Sequence, residues 1–313
     1  MLEVIKPGLQ TTVQDHGRSG QAHLGFAQSG AADLLAASVA NRLLLQPDDT
    51  PLLECTLVGP TLTFHCDTVI ALVGAPMAPL LDGQPLQQGQ PIAVFRGQRL
   101  DLGRARRGCR TYLAVKGGLQ VPPVLGSCAT QLNVGIGGWK GRALQAGDRL
   151  PIQRHHLPHP QDSFTRLGGI TPEPALIAVI PGPHYREHQH RALFRRQWRL
   201  SAHSDRMGAR LEGEPLPEAK AEILTEPVQR GTIQLPPSGQ PIALMADSQP
   251  TGGYPKIAQI ARADWSVLAQ LAPGQTLRFI QCDWEQARMM QAEQRARLAR
   301  LSISAKRFWR EGS

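Results

Sequence analysis

The sequence predicts a mainly β protein made of many short strands, and three observations carry that expectation. Glycine and proline are abundant, 31 and 26 of 313 residues, and they lie between short apolar runs with no collagen-like repeat. Apolar and polar residues alternate through most of the stretch from Leu52 to Ile152, the period of half-buried strands. The helical period stands out in only two places.

A short strand is expected at Leu2–Ile5, followed by the polar loop Gln14-Asp15-His16-Gly17-Arg18. The first helix is expected over Ala31–Leu45, capped by Ser29 or Gly30. There Leu35, Val39 and Leu43, with Ala36, Ala40 and Leu44, form one apolar stripe, and Pro47-Asp48-Asp49 ends it. Strands are expected at Thr61–Phe64, Val69–Val73, Ile92–Phe95, Leu100–Leu102 and Thr111–Val115. Asp82-Gly83, Gly89-Gln90, Gly97-Gln98 and Gly117-Gly118 supply the turns. Strands so short and so regularly interrupted suit a barrel or sandwich. The pattern resumes at Leu176–Ile180, Thr232–Leu235, Ile242–Ala246 and Thr276–Ile280, and the chain closes with a helix near Trp284–Leu301. The expected division is a first β half (1–153), a His- and Pro-rich linker (154–174), a second β half (175–283) and a basic C-terminal helix (284–313).

With 41% hydrophobic and 19% charged residues, a packed core is expected and disorder is not. The 34 basic and 25 acidic residues give a net charge of +9. Between Glu285 and Ser313 stand Arg288, Arg295, Arg297, Arg300, Lys306, Arg307 and Arg310 against Glu285, Glu293 and Glu311, so the tail holds +4 of that charge. No zinc-finger spacing, RNP motif or basic-zipper pattern accompanies it, which argues against nucleic-acid recognition. Cys55, Cys66, Cys109, Cys128 and Cys282 are an odd, scattered set that suits neither a disulfide framework nor a zinc site. The opening residues lack a signal peptide's apolar stretch, and no run of apolar residues is long enough to span a membrane, so a cytoplasmic location is expected.

Several motifs carry chemistry. Gly135-Ile136-Gly137-Gly138-Trp139-Lys140-Gly141-Arg142 has the ingredients of an anion-binding nest, but equally those of a tight turn series. Thr251-Gly252-Gly253-Tyr254-Pro255-Lys256 combines close backbone approach with hydroxyls and a charge. Asp205-Arg206 sets a carboxylate beside a guanidinium, either to meet a ligand or as a structural ion pair. His184, His188 and His190 have partial metal-ligand spacing, broken by Pro181 and Pro183.

Together these segments resemble a known family. TTVQDHGR (Thr11–Arg18), SGAAD (Ser29–Asp33), Ala40-Asn41, YLAVKGG (Tyr112–Gly118), VPPVLGS (Val121–Ser127) and VGIGGWKGRAL (Val134–Leu144) occur in its order. So do GDRLP (Gly147–Pro151), SDRMGARLEG (Ser204–Gly213), IQLPPSGQPI (Ile233–Ile242) and TGGYPKIA (Thr251–Ala258). This is the carboxyltransferase-domain family of 5-oxoprolinase C subunits, KipA proteins and the C-terminal halves of urea carboxylase carboxyltransferase domains. The resemblance implies tandem cyclophilin-like β-barrels with a few short helices. For stand-alone bacterial forms it implies one component of an ATP-dependent 5-oxoprolinase, working on 5-oxo-L-proline with a KipI-like B subunit and an A subunit.

An amide carbonyl is a poor electrophile, and phosphorylation by ATP with Mg2+ would turn its oxygen into a leaving group, so donors and cations are expected at the site. By matching position, Asp33, Asp205, Arg206 and Lys256 are the expected catalytic groups. Gln14, Asp15, Arg18, Asn41, Gln234, Gln249, Thr251, Gly252, Gly253 and Tyr254 are the expected substrate- or phosphate-binding groups, with no metal ligands. The chain departs from its relatives at Leu45-Gln46, where Gly-Asn is usual, at Val73 and Pro76, and at Glu226-Pro227, where Glu-Gly is usual. The first two departures point to an altered pocket wall. No Met-Lys-Met biotin attachment site is present. The resemblance leaves two rivals, a biotin-dependent carboxyltransferase acting on urea or a related amide, and a KipA-like regulator that binds a KipI-like inhibitor.

Overall fold

A computed structural model describes residues 1–155, 175–187, 191–217 and 223–311. Most of the expected linker, 156–174, lies outside the described residues, as do His188 and His190. The fold is mainly β, as expected. Its two compact units are not consecutive stretches of sequence. The first comprises Met1–Arg18, Asp33–Gly169 and Ala296–Ser313, and the second Ser19–Ala32 and Ile170–Arg295.

In the first unit the strands are β1 (Leu2–Lys6), β2 (Gln10–Gln14), β3 (Leu52–Thr56), β4 (Thr61–Phe64), β5 (Thr68–Gly74) and β6 (Leu80–Leu81). They continue with β7 (Gln84–Pro85), β8 (Pro91–Val94), β9 (Arg99–Asp101), β10 (Arg110–Val115) and β11 (Arg149–Leu150). One sheet runs β11-β1-β4-β9-β6-β7, the other β2-β3-β10-β5-β8, and all their pairings are antiparallel. Leu2, Val4, Leu62, Phe64 and Leu100 from the first sheet and Leu53, Ile70, Leu72, Leu113 and Val115 from the second share one core. Strands β5 and β10 are almost wholly buried, which explains the apolar runs Val69–Val73 and Tyr112–Val115 within them. Helix α1 (Leu34–Leu43) packs against both, and its buried Ala36, Ala37 and Ala40 permit close approach.

Helix α1 starts later than its apolar stripe suggests. Its N-cap is Asp33, whose carboxylate accepts the Ala36 N–H at 2.9 Å. Ser29 and Gly30, the expected caps, have φ of 59° and 85° and lie outside the helix. At the other end, Leu45 N–H donates to Arg42 O (3.1 Å) and Gln46 N–H to Asn41 O (3.2 Å), the two bonds of a Schellman motif. Leu45 occupies its left-handed position with φ 51°, where a glycine is free of Cβ strain. We expect Leu45→Gly to stabilise the protein by about 1 kcal/mol, seen as a rise in Tm; an unchanged or lower Tm would contradict this. The departure at Leu45-Gln46 is thus a feature of the helix end. The Gln46 side chain bonds Asn41 Oδ1 (2.8 Å), Val115 O (3.3 Å) and Gly117 N–H (3.1 Å).

The second unit contains β12 (Ala175–Pro181), β13 (Trp198–Leu200), β14 (Gly208–Glu212), β15 (Glu226–Pro227), β16 (Thr232–Gln234), β17 (Ile242–Leu244), β18 (Thr251–Gly252), β19 (Lys256–Ile260) and β20 (Thr276–Gln281). Seven of them close a barrel in the order β12-β19-β16-β17-β14-β13-β20. Its closing pair, β12 with β20, is parallel. Closure removes the exposed edges that a short-stranded sheet would otherwise present. Ile177, Val179, Trp198, Leu211, Ile233, Ile257, Leu277 and Phe279 fill the interior, and the Trp198 indole N–H donates to Leu193 O at 3.1 Å in α2 (Ala192–Arg195). Strands β15 and β18 form a separate two-stranded ribbon. Helix α3 (Trp265–Ala269) packs against β12.

The C-terminal helix α4 (Trp284–Glu311) is longer than the sequence pattern suggests. Asp283 accepts the Gln286 N–H (2.8 Å) while Gln286 Oε1 accepts the Asp283 N–H (3.0 Å), a reciprocal cap. Within the first unit, Trp309 Nε1 donates to Leu43 O at 2.9 Å, Lys116 Nζ donates to Leu44 O, and Lys116 lies 4.9 Å from the Trp309 ring centre. Two carbonyls left over at the end of α1 are satisfied in this way. Arg288, Arg295, Arg297, Arg300, Lys306 and Arg307 are exposed. Among the described residues no helix is long and apolar enough to cross a membrane.

Candidate functional site

The residues expected in the first loop turn inward. Gln14 Nε2 donates to Thr12 Oγ1 and Thr130 O, both at 3.0 Å. Asp15 accepts from Gly17 N–H (2.7 Å), Ser127 Oγ (2.7 Å) and Cys128 N–H (2.6 Å), and Arg18 Nη2 donates to Ala129 O. All three are buried. They pin the strand end of β2 to the segment 127–130, so the polar groups expected to meet substrate are engaged with protein atoms here. The neighbouring Gly135–Arg142 loop is closed too. N–H groups of Gly135, Gly138, Gly141 and Arg142 are taken by protein carbonyls, and a β-carbon on Gly137 would overlap both Ala129 O and the Arg18 guanidinium. Arg142 grips Asp148 with two bonds of 2.7 and 2.8 Å, holding that carboxyl down to about 2. Of the two readings of this loop, the turn series is the one the structure contains.

Asp33 serves as the α1 cap, and its N–H donates to Tyr112 Oη (2.7 Å), which in turn donates to Glu54 Oε2 (2.8 Å). Burial, followed by the charges of Glu54 and Asp33, holds the Tyr112 phenol well above its usual range. The Asn41 amide donates to Asp48 O (3.0 Å) and Thr50 O (2.9 Å) and is wholly buried. Both residues, expected at the site, shape the α1 region through these bonds.

In the second unit, Asp205 and Arg206 do not pair with each other. Asp205 Oδ1 accepts from its own turn, Met207 N–H (2.7 Å) and Gly208 N–H (3.0 Å). Arg206 forks onto Asp247 at 2.8 and 2.9 Å and donates to Gly30 O at 2.6 Å. Ser29 Oγ adds a third bond to Asp247 (2.7 Å). Arg230, stacked 4.8 Å from the Trp265 ring, donates to Ala31 O (3.0 Å) and Ala32 O. The SGAA stretch is therefore strapped down by two buried arginines. Arg206, expected to be catalytic, has its fork occupied by protein oxygens in this structure.

A different arrangement surrounds Lys256. A bulge between β16 and β19 makes Gln234 and Lys256 cross-strand partners, and bulges re-aim side chains in this way. Lys256 Nζ lies 2.6 Å from Glu226 Oε2 and donates to Pro227 O at 3.2 Å. Its backbone N–H donates to His184 Nδ1 at 3.0 Å. The hydrogen bond to Lys256 holds the Glu226 carboxyl below its usual range, and His184 adds to that effect. Gly252 pairs with Glu226 across the β15–β18 ribbon. Gln249, Thr251 and Tyr254 are exposed, Gly252 and Gly253 half-buried. The described residues thus bring Gln234, Gly252 and Lys256 together, while Gln14, Asp15, Arg18, Asp33, Asn41 and Arg206 are buried and bonded internally, and Asp205 caps an exposed turn.

Sequence reasoning does not single out Glu226, His184, Arg230 or Asp247 as functional neighbours. Glu226 is visible only as part of a departure, and His184 only as a metal candidate. Among the described residues, no group of three or more His, Cys, Asp or Glu is gathered for a metal. All five cysteines are free, and burial pushes the Cys55 thiol up to about 12.

The fold places the chain among β proteins of short antiparallel strands organised around a closed barrel. It belongs to the carboxyltransferase-domain family, whose model for subdomains A and B matches residues 24–281. It is 43% identical over 293 residues to the 5-oxoprolinase C subunit of Escherichia coli, covering 92% of this chain and 93% of that one. To the 5-oxoprolinase C subunit of Haemophilus influenzae it is 39% identical, with coverages of 89% and 90%. The urea amidolyase of Saccharomyces cerevisiae is 31% identical over 94% of this chain, which spans only 17% of that protein. Among solved structures, TTHA0988 superposes with a TM-score of 0.82 at 38% identity, over 89% of this chain and 55% of the other. The K. lactis urea amidolyase gives 0.85 at 31% identity, over 96% and 20%.

Proposed function

We propose that this chain is the C subunit of an ATP-dependent 5-oxoprolinase, a cytoplasmic enzyme that opens 5-oxo-L-proline to L-glutamate together with its A and B subunits. The observation that carries this reading is end-to-end similarity to proteins named as 5-oxoprolinase C subunits, at 43% identity over 93% of the E. coli protein. The urea carboxylase reading has less support, because this chain corresponds to less than a fifth of the yeast protein. A KipA-like regulatory role is the remaining alternative, and it requires no turnover from this chain.

In this reading the donors around Lys256 and Gln234 hold the substrate's oxygens, and Gly252 and Gly253 leave room for it. ATP with Mg2+ supplies the driving force for opening an otherwise unreactive amide. The Gly135–Arg142 loop does not fit a triphosphate, since its backbone donors are largely taken. The nucleotide is therefore assigned to the complex and not to that loop. Covalent biotin has no attachment motif on this chain.

The test is reconstitution with the A and B subunits and measurement of ATP-dependent glutamate formation from 5-oxo-L-proline. Turnover is expected to fall to background when this chain is omitted, and undiminished turnover without it would end the proposal.

A further inference from the structure

Gln234 is 2% exposed, and among the described residues its amide Nε2 has no hydrogen-bond partner. A buried donor left unmade costs about 1–3 kcal/mol, and such groups concentrate where a ligand completes them. The amide points at Gly252, where a β-carbon would lie 2.5 Å from Nε2. Gly252 is not among the residues with positive φ. Glycine stands there for space, since a β-carbon would collide with the amide, whose nitrogen is itself sealed from solvent.

The groups around this amide are also donors. Lys256, its cross-strand partner, carries a cation on the same face of the sheet. His184 accepts the Lys256 N–H through Nδ1, so in the neutral ring the hydrogen sits on Nε2, a further donor. A ligand completing this cluster must bring oxygen acceptors. What occupies the cation now is a carboxylate, Glu226 at 2.6 Å. The Glu226 side chain is 39% exposed and that of Lys256 18%. A pair so open to solvent contributes about 0–1 kcal/mol and exchanges readily for another carboxylate.

We propose that Glu226 is an internal stand-in for a ligand carboxylate. A small carboxylic acid binds with its carboxylate on Lys256 in place of Glu226, and a second oxygen accepts from Gln234 Nε2. No covalent step is involved. The carboxylate class follows from the cluster itself, whereas the choice of 5-oxo-L-proline as the acid rests on the function proposed above. That acid carries one carboxylate and one lactam oxygen, an acceptor for each of the two donors.

The experiment measures equilibrium binding of 5-oxo-L-proline, and of 2-pyrrolidinone, which lacks the carboxylate, to the full chain assembled with its partners. Glu226→Gln removes the competing carboxylate and is expected to tighten 5-oxo-L-proline binding about fivefold while leaving 2-pyrrolidinone unchanged. Gln234→Met, close in shape but without a donor, is expected to weaken binding about tenfold. Lys256→Met is expected to weaken binding and, combined with Glu226→Gln, to erase the gain. Melting curves confirm that each variant is folded; Glu226→Gln, at an exposed position, serves if Gln234→Met is not.

Unchanged or weaker binding by Glu226→Gln, equal binding of the two ligands, or no binding of 5-oxo-L-proline at millimolar concentration would each overturn the inference. Tighter binding by Glu226→Gln in a complex whose turnover does not need this chain would refute the proposed function and leave the site standing. Turnover that needs the chain, with affinity indifferent to Glu226, would do the reverse.

Discussion

Arg206→Ala is expected to destabilise the protein by about 3–5 kcal/mol, enough to unfold much of it at moderate temperature. The guanidinium and its partner carboxylate are almost sealed from solvent, with side-chain exposures of 5% and 3%. Truncation would leave Asp247 charged and buried, with the Ser29 hydroxyl left to meet it. It would also release Gly30 O, which Arg206 Nη2 now satisfies. Thermal melting measures the effect, and a drop in Tm of only a degree or two would show that the network is dispensable. Replacing both partners, as in Arg206→Met with Asp247→Leu, should cost markedly less than Arg206→Ala alone, because no unpaired charge remains. Loss of turnover in Arg206→Ala therefore reports on folding first. Lys256, partly exposed and paired at the surface, is the better probe of ligand chemistry.

Gly137→Ala should be comparably severe, at about 3–5 kcal/mol. Gly137 has φ of 69°, and a β-carbon would overlap a backbone carbonyl that is itself bonded to Arg18. Backbone cannot rotate aside as a side chain would, so the loop must shift and the Arg18 pin with it. The measurement is again Tm, with Gly147→Ala as a control. Gly147 also has positive φ, 87°, but open space around it. The control isolates the conformational cost, about 1–2 kcal/mol, from the clash. Equal losses at the two positions would show that packing at Gly137 contributes nothing.

Strands in the middle of the first unit are legible in the sequence because their side chains either alternate, as in Thr61-Leu62-Thr63-Phe64, or run apolar where both faces are buried, as in Tyr112–Val115. Thr61–Phe64 coincides with β4, and Thr111–Val115 lies within β10. Strands β13 and β14 are not legible: Trp198-Arg199-Leu200 and Gly208–Glu212 are brief and interleaved with charge. Only closure of the barrel gives such segments partners. The apolar stripe of α1 continues through Ala31 and Ala32, and so it points to too early a start. Those two alanines are buried and their carbonyls are held by Arg230.

For the site, residue identity carries the motifs but not their use. TGGYPK does lie beside a donor-rich cluster, whereas QDHGR, equally polar on paper, is consumed by internal bonds. The decisive neighbour of Lys256, Glu226, sits well upstream of it in a segment that looks like an ordinary departure from the family.

By itself the sequence determined the β class, the positions of the turns and the family. Each of these depends on local preference: the alternation of side chains, the freedom of glycine, the order of short motifs. Only the tertiary structure decided which polar residues are pins and which are available. Arg206 meets Asp247 across 41 positions and Gly30 across 176, and Arg18 meets Ala129 across 111. A buried polar group must find a partner wherever folding brings one, and no local pattern records which groups have done so.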